Sequence, residues 1–299
     1  MKKDFITLKD MSPDEISQIL ERAAELKSGK DASAYPLIGK SIGLFFEKSS
    51  TRTRLSFQTG IYQLGGQAIY INPLELQLGR GETIEDTAKV LSRYLHGVVV
   101  RTFAHSIIES FSDNSAIPVI NGLTDLHHPC QILSDLMTIK EKKGRLKDIR
   151  LAYIGDGNNI ANSLIEASSM MGINLFLACP EGFTPDSNIL EKAVTDGCVK
   201  MTIDPKEAAE GADVLYTDVW VSMGQEKESV KRKKLFENYQ INKELLSHAT
   251  PDAIVMHCLP AHRGEEITDD VLDSAQSVVM DQAENRLHAQ KALLEALIR

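Results

Sequence analysis

The sequence has little of what marks membrane, secreted or nucleic-acid-binding proteins. It contains no run of about 18 uncharged apolar residues, so no membrane span is expected. The first residues, Met1 to Ile6, include two lysines and an aspartate but no apolar stretch typical of a secretory signal. The net charge is −9, from 33 basic and 42 acidic residues, which disfavours non-specific binding to nucleic acid.

Cysteine is also scarce and is not arranged for metal or redox work. The four cysteines, Cys130, Cys179, Cys198 and Cys258, form no CxxC pair, so neither a zinc knuckle nor a redox motif is indicated. A chain of 299 residues with 42% hydrophobic residues can build large cores without disulfides. A reducing, cytoplasmic setting is therefore expected.

Short apolar runs alternate with longer stretches of helical periodicity. This order predicts an α/β fold with two domains, each a parallel sheet flanked by helices. The predicted strands are 41–46, 67–71, 97–101 and 118–121 in the first half, and 150–154, 175–178, 199–203, 214–216, 253–256 and 278–280 in the second.

The boundary between the domains is predicted at the end of a long helix that follows Pro129. That helix ends in Lys140-Glu141-Lys142-Lys143 and is followed by Gly144. The first domain is therefore expected to span 1–143 and the second 144–282. An amphipathic helix over 283–299 is expected to pack back onto the first domain.

Polar residues follow the first predicted strand. In open parallel sheets, ligands bind beyond the carboxyl ends of the strands. The segment Ser49-Ser50-Thr51-Arg52-Thr53-Arg54 combines capping hydroxyls, the start of a helix and two guanidinium groups, a combination suited to an anion. A helix cap with two solvated arginines explains these six residues equally well.

Further donors fall at neighbouring strand ends. Arg101 ends a valine-rich strand, and His128 and Gln131 open the long helix, while Gln77 and Arg80 lie in a glycine-flanked loop. Each alone is an ordinary loop or helix-start residue. Together with the 49–54 segment they predict a pocket for a phosphorylated small molecule.

The segment Gly155-Asp156-Gly157-Asn158-Asn159 follows the first strand of the second half. It is similar to a dinucleotide fingerprint, and Glu181 follows about 20 residues on, but Ile160 stands at the third glycine position. The two asparagines would instead suit an amino-acid head group. A plain tight turn is a third interpretation.

Two later strand ends carry chemistry of their own. Asp218, ahead of Ser222-Met223-Gly224, suits a substrate ammonium, or it simply caps a turn. Cys258, beside His257, is either a thiolate nucleophile or a buried cysteine in a turn. Arg286 is a further possible donor at a helix start.

These motifs, in this order, are those of a known family. Ser50-Thr51-Arg52-Thr53-Arg54, His128-Pro129-Cys130-Gln131, Asp218 with Ser222-Met223-Gly224, and His257-Cys258-Leu259-Pro260 resemble the motifs of the ornithine carbamoyltransferases. The first two are similar to those of all transcarbamoylases, and the last two to those of the ornithine branch. The resemblance runs from about Phe5 to the last helix.

The resemblance implies a carbamoyl-phosphate domain, an ornithine domain and the following site residues. Those for carbamoyl phosphate are Ser50, Thr51, Arg52, Thr53, Gln77, Arg101, His128, Gln131, Cys258, Leu259 and Arg286. Those for ornithine are Asn159, Asp218, Ser222 and Met223, and the residues expected to carry catalysis are Arg52, Arg101, Asp218 and Cys258. It also implies a homotrimer with shared sites and no cofactor or metal.

The expected reaction is transfer of a carbamoyl group from carbamoyl phosphate to the side-chain amine of L-ornithine, giving L-citrulline and phosphate. One alternative is a transcarbamoylase for another amine, such as aspartate or putrescine. A nucleotide-dependent oxidoreductase built on Gly155 to Gly157 is a second, and a non-catalytic anion-binding regulator is a third.

Overall fold

The computed structural model describes residues 2–29, 35–72, 81–221 and 228–298. The chain divides into two compact units, unit 1 from Met1–Met137 with Glu284–Arg299, and unit 2 from Thr138–Ala283. The first boundary therefore falls inside the long helix that the sequence analysis placed ahead of it. Among the described residues, no helix is long and apolar enough to span a membrane.

Unit 1 is built around a four-stranded parallel sheet. The strand order is β2-β1-β3-β4, and β1 pairs with both β2 and β3. Phe45 of the sheet packs against Phe111 of a covering helix, with ring centroids 5.7 Å apart. The strands are β1 (Ser41–Phe46), β2 (Gln67–Ile71), β3 (Gly97–Arg101) and β4 (Val119–Leu123), and the helices are α1 (Pro13–Lys27), α2 (Thr51–Gln63), α3 (Ile84–Tyr94), α4 (His105–Asn114) and α5 (Pro129–Lys143).

Unit 2 holds a five-stranded parallel sheet of order β7-β6-β5-β8-β9. Its core includes Trp220 and Phe236, whose rings lie 6.0 Å apart. The strands are β5 (Arg150–Ile154), β6 (Asn174–Ala178), β7 (Val199–Thr202), β8 (Val214–Thr217) and β9 (Ile254–His257). The helices are α6 (Asn159–Met171), α7 (Ser187–Thr195), α8 (Pro205–Ala209), α9 (Ser229–Phe236), α10 (Lys243–Leu246), α11 (Asp269–Leu272) and α12 (Val279–Leu297), the last of which continues into unit 1.

Local sequence explains where several helices begin. Ser12 caps α1 in a capping box with Glu15, and Pro13 occupies the first helical position. Ser50 caps α2 by accepting the Thr53 amide, and Thr83 caps α3 in the same way. A cap of this kind stabilises a helix by about 1 kcal/mol.

The predicted arrangement of two parallel sheets flanked by helices is confirmed. Two details of the prediction were wrong. The apolar run 278–280 is not a strand, because α12 already begins at Val279, before the predicted start at 283. The predicted strand 118–121 is displaced, because β4 begins at Val119 and continues beyond Asn121 to Leu123.

The strand orders define one special position in each sheet. From β1 the chain adds β2 on one side and β3 on the other, and from β5 it adds β6 on one side and, later, β8 on the other. The connections that leave β1 and β3 run to opposite faces of the first sheet, and those that leave β5 and β8 run to opposite faces of the second. In each sheet this opens a crevice above the carboxyl ends of the two strands. The residues after β1, β3, β5 and β8 are therefore the first candidates for a site.

Candidate functional site

The start of α2 lies directly beyond the end of β1. Thr53 donates its amide to the Ser50 hydroxyl at 3.2 Å, and the Ser50 hydroxyl donates to Thr53 Oγ1 at 2.9 Å. Thr51 and Arg52, in the first turn, are exposed. The first-turn amides of a helix, together with its dipole, favour an anion at this position.

Arg286 of α12 joins the predicted residues of unit 1 into one group. Its guanidinium donates to Thr53 Oγ1 at 2.6 Å and to Gln131 Oε1 at 3.0 Å, and Nη2 lies 3.4 Å from His128 Nε2. All four side chains are buried. We call Thr53, His128, Gln131 and Arg286 the Arg286 cluster.

Each polar member of the Arg286 cluster has a defined orientation. Gln131 accepts from Arg286 through Oε1, and its Nε2 donates to the buried carboxylate of Asp135 at 2.9 Å. A guanidinium can only donate, so His128 accepts through Nε2 and carries its proton on Nδ1. Burial, together with the positive charges of Arg286 and Arg101, holds the pKa of His128 well below its ordinary value.

The other predicted cations of unit 1 occupy different environments. Arg101 is buried at the end of β3, where its carbonyl accepts the Glu47 amide at 2.8 Å. Arg54 stacks on the ring of Tyr70, 3.8 Å from the centroid. Lys48, which the sequence analysis did not single out, is buried and pairs with Asp125. The end of β1 thus holds one cationic side chain more than the motif alone indicates, and that side chain is paired with a carboxylate.

Asp218 is the centre of the site residues of unit 2. Its Oδ1 accepts the Val219 amide and the Cys258 thiol, both at 2.8 Å, and its Oδ2 accepts from Asn158 Nδ2 at 2.7 Å. Asn158, Asp218 and Cys258 follow β5, β8 and β9, three adjacent strands of the sheet. We call these three residues the Asp218 cluster.

The turn that carries Cys258 is stabilised by hydrogen bonds of the buried His257. The Leu259 amide donates to His257 Nδ1 at 2.8 Å, so the ring proton lies on Nε2, which donates to Glu266 Oε1 at 3.0 Å. Leu259 has a φ of 56°, in the left-handed region that costs a non-glycine residue about 1 kcal/mol or more. The His257 contact offsets part of that cost and fixes the turn.

The Gly155–Gly157 turn does not have the shape of a dinucleotide site. A Cβ on Gly157 would lie 2.3 Å from both Pro185 N and Thr184 C, because the chain's own backbone fills the space that a pyrophosphate would need. The start of α6 is capped by Asn158, which accepts from Ile160. These contacts argue against the nucleotide-dependent oxidoreductase.

The cysteines separate into two environments. Burial raises the pKa of Cys130 and of Cys179 to about 12, so neither thiol forms a thiolate near neutral pH. Cys130 donates to the Asn121 carbonyl at 3.2 Å. Cys198 and Cys258 are half-buried, and of these two only Cys258 lies in the Asp218 cluster.

Two groups of side chains in the described ranges have ligand atoms close enough for a metal ion. They are Asp218 with His257 and Cys258, and His262 with Glu265 and Glu266. In the first group the atoms already bond to protein partners, since Cys258 donates to Asp218 and both ring nitrogens of His257 are engaged. Hydrogen bonding within the protein accounts for this arrangement.

The structure brings together only part of the predicted site. Thr53, Gln131, His128 and Arg286 form one cluster, with Ser50 bonded to Thr53. Asp218 and Cys258 form another, next to Leu259 and, through Asn158, to Asn159 at the start of α6. Gln77, Ser222 and Met223 lie outside the described residues.

Residues that orient other site residues were not identified from the sequence. Asp135 orients Gln131, and Glu266 orients His257. Asn158 was interpreted as part of a dinucleotide fingerprint, as a ligand for an amino-acid head group or as part of a tight turn, whereas the structure bonds it to Asp218. The spacing of Gln131 and Asp135, four residues apart on one helix, was the one available signal.

Comparisons with known proteins cover both units. A family model described as "Aspartate/ornithine carbamoyltransferase, carbamoyl-P binding domain" matches residues 3–141, and one described as "Aspartate/ornithine carbamoyltransferase, Asp/Orn binding domain" matches 147–297. The ornithine carbamoyltransferase of Syntrophus aciditrophicus is 57% identical over 302 residues, covering 100% of both chains. That of Oceanobacillus iheyensis is 54% identical, covering 99% of this chain and 94% of its own.

Solved structures agree with these relatives. The structure of ornithine carbamoyltransferase from Pyrococcus furiosus superimposes with a TM-score of 0.94 at 49% identity, covering 99% of this chain and 97% of that one. A structure titled as the anabolic ornithine carbamoyltransferase of Campylobacter jejuni has a TM-score of 0.93 at 39% identity, covering 99% and 98%.

The electrostatics of the Arg286 cluster predict a neutral His128. In NMR spectra of histidine-labelled protein, the His128 signal should not titrate around pH 6.5, the ordinary pKa of a histidine, because its pKa is lowered. Since the unfolded histidine binds a proton at its ordinary pKa, this residue favours unfolding as the pH falls through about 6.5. The variant Arg286→Gln removes one positive charge and should move the midpoint of His128 upward. A wild-type midpoint near the ordinary value would contradict this account.

Proposed function

The chain belongs to the aspartate/ornithine carbamoyltransferase family, and we infer that it is an ornithine-specific member: it transfers the carbamoyl group of carbamoyl phosphate to the side-chain amine of L-ornithine, giving L-citrulline and phosphate. The observation that carries this conclusion is the full-length identity of 57% to a protein named for that activity. As a carbamoyl-group transferase, the enzyme acts in arginine metabolism.

We propose that the Arg286 cluster and the start of α2 bind carbamoyl phosphate. The first-turn amides and hydroxyls of Ser50, Thr51 and Thr53, with Arg52 and Arg101, would hold the phosphate, because they combine a helix start with fixed positive charge. A neutral His128 can interact with the carbamoyl end without adding charge. Further proposed ligands are Gln77, Gln131, Cys258, Leu259 and Arg286.

For ornithine, we propose a site centred on Asp218. A carboxylate held by three donors suits an ammonium group of the amino acid, and an amide such as that of Asn159 can both donate and accept. Ser222 and Met223 complete the proposed set. A second negative charge, as in aspartate, would be repelled by Asp218, which favours a diamino acid.

The chemistry follows from the ionisation of the substrate amine. A free amine of this type has a pKa of about 10.4, so near neutral pH the site must favour its uncharged form. The amine nitrogen bonds to the carbamoyl carbon while the carbon–oxygen bond to phosphate breaks, and the displaced proton leaves with the phosphate. We propose that Asp218 positions ornithine through its α-ammonium group, that Cys258 positions the uncharged side-chain amine, and that Arg52 and Arg101 stabilise the charge developing on the oxygens. The reaction so written needs no redox cofactor.

The choice of amine is directly testable. With carbamoyl phosphate as donor, we expect ornithine to give citrulline with a kcat/KM at least about 100-fold above that for putrescine or aspartate, because only ornithine combines a second amine with the amino-acid head group that the proposed site would hold. Colorimetric detection of the ureido product and of phosphate measures each reaction. Equal or better use of putrescine or aspartate would establish the alternative transcarbamoylase. Saturable binding of carbamoyl phosphate without turnover of any amine would establish the anion-binding regulator.

Cys258 is proposed to position the substrate amine, not to attack the carbamoyl group. The variant Cys258→Ala should therefore lose about 10- to 1000-fold in kcat yet keep measurable activity. The variant Cys198→Ala, which changes the other half-buried thiol of unit 2, is the control and should match the wild type. Complete loss of activity in Cys258→Ala, with a carbamoylated cysteine detected in the wild type by mass spectrometry, would contradict the proposed role.

We propose a homotrimer with sites shared between subunits, as the resemblance implies. Unit 1 supports an interface because Tyr62 on α2 is 79% exposed and Tyr94 on α3 is 72% exposed, unusually high for large rings. Light scattering should give a mass near three times 33.1 kDa. The variant Tyr62→Glu should lower that mass, and Ile203→Glu, an exposed position of unit 2, should not. A wild-type mass of 33.1 kDa would exclude the trimer.

We also propose a cytoplasmic location. The four cysteines are free thiols in the structure, the form that a reducing compartment maintains.

A further inference from the structure

Asn158 bonds at both ends of its side-chain amide. Its Oδ1 accepts from the Ile160 amide at 2.9 Å and from the Ala161 amide at 3.4 Å, and it lies 3.2 Å from the Tyr153 hydroxyl. Its Nδ2 donates to Asp218 Oδ2 at 2.7 Å. One residue therefore caps α6 and contacts the centre of the Asp218 cluster.

The helix cap determines which end of the amide faces Asp218. Backbone amides only donate, so the group that accepts from Ile160 and Ala161 must be the carbonyl oxygen. The NH2 group is then directed at the carboxylate, and a flip of the amide would place two acceptors together and two donors together. The start of α6 thus defines the donor that Asp218 receives.

The turn that carries Asn158 is held on several sides. The Tyr153 hydroxyl donates to the Asp156 carbonyl at 2.8 Å, and the Gly157 amide donates to the Phe183 carbonyl at 2.8 Å. The Asp156 side chain pairs with buried Arg232 at 2.8 Å. These contacts hold the turn from several sides, so Asn158 presents its amide nitrogen to Asp218 from a defined position.

The donors to Asp218 other than Asn158 do not determine the position of its Oδ2. The Val219 amide and the Cys258 thiol both donate to Oδ1. Among the contacts that the structure describes, the hydrogen bond to Oδ2 comes from Asn158. Two contacts at one oxygen permit rotation about the bond to the carboxyl group, and a third at the other oxygen stops it.

We propose that Asn158 is a positioning residue for ornithine binding: by capping α6 with its oxygen, it aims its amide nitrogen at Asp218 and fixes the plane of the carboxylate that receives the substrate ammonium. This role rests on the proposed function, because it assigns Asp218 to ornithine. It extends the site by a residue that contacts Asp218 and acts through it.

Two substitutions of Asn158 distinguish its role as the cap of α6 from its role in positioning the Asp218 carboxylate. Aspartate and serine cap helices about as well as asparagine, so Asn158→Asp and Asn158→Ser should both retain α6. Neither can donate to Asp218 as the amide does. Aspartate also places a second negative charge beside Asp218, whereas the serine side chain is too short to bridge the distance.

The expected result is a selective loss of ornithine binding. Asn158→Asp should raise the KM for ornithine at least about tenfold and Asn158→Ser about threefold or more, since a hydrogen bond to a charged group is lost. The KM for carbamoyl phosphate should stay within about twofold of wild type, and the thermal midpoint within a few degrees. Steady-state kinetics with each substrate varied in turn measures both constants.

The matched control is Asn242→Asp. Asn242 caps α10 through the Leu245 amide at 3.0 Å, so the same exchange is made at a helix cap of the same unit, away from Asp218. The control should keep both KM values. If Asn158→Asp and Asn158→Ser match the control, or raise both KM values equally, Asn158 is a helix cap only and the proposal is overturned.

The serine variant gives a result even if the aspartate variant does not fold. The wild type separates this proposal from the function on which it rests. A wild-type enzyme that makes no citrulline refutes the function, whereas an active wild type with unchanged Asn158 variants refutes only the positioning role.

Discussion

A parallel sheet that grows outward in both directions from its first strand must leave two neighbouring strand ends uncovered. The connections that follow them run to opposite faces, and no crossover helix closes the space between. In unit 1 these ends belong to β1 and β3, and in unit 2 to β5 and β8. Ser50 follows β1 and Arg101 is the last residue of β3, whereas Asn158 and Asp218 follow β5 and β8. Chain topology thus places polar groups together that are far apart in sequence.

The fold could be predicted from the sequence wherever a feature depends on residues that are close together in the chain. The capping hydroxyl of Ser50 was identified because capping depends on residues within one turn. The run 278–280 was misjudged because three apolar residues suit a strand and a buried helix start equally. Helix α1 was not predicted, although Ser12-Pro13-Asp14-Glu15 carries both a capping box and an N1 proline.

Less of the candidate site than of the fold could be predicted from the sequence. Thr53, His128 and Gln131 could be named from motifs, but their contacts with Arg286 join residues more than 150 positions apart and have no local signal. Asn158 shows a second limit. Its neighbourhood favours a cap, a ligand or a nucleotide turn with similar weight, and only the backbone of 183–185 against Gly157 and the contact with Asp218 decide among them.

Unit 1 is discontinuous, since it consists of Met1–Met137 and Glu284–Arg299, whereas unit 2 is one uninterrupted stretch. During synthesis on the ribosome, every residue of unit 2 therefore emerges before the second segment of unit 1, Glu284–Arg299. Arg286 is among these late residues, and it is the one that ties Thr53 to Gln131. When the five strands of unit 2 have been synthesised, the chain still lacks the Arg286 guanidinium that joins Thr53 to Gln131 in unit 1. The Arg286 cluster is therefore assembled late in translation.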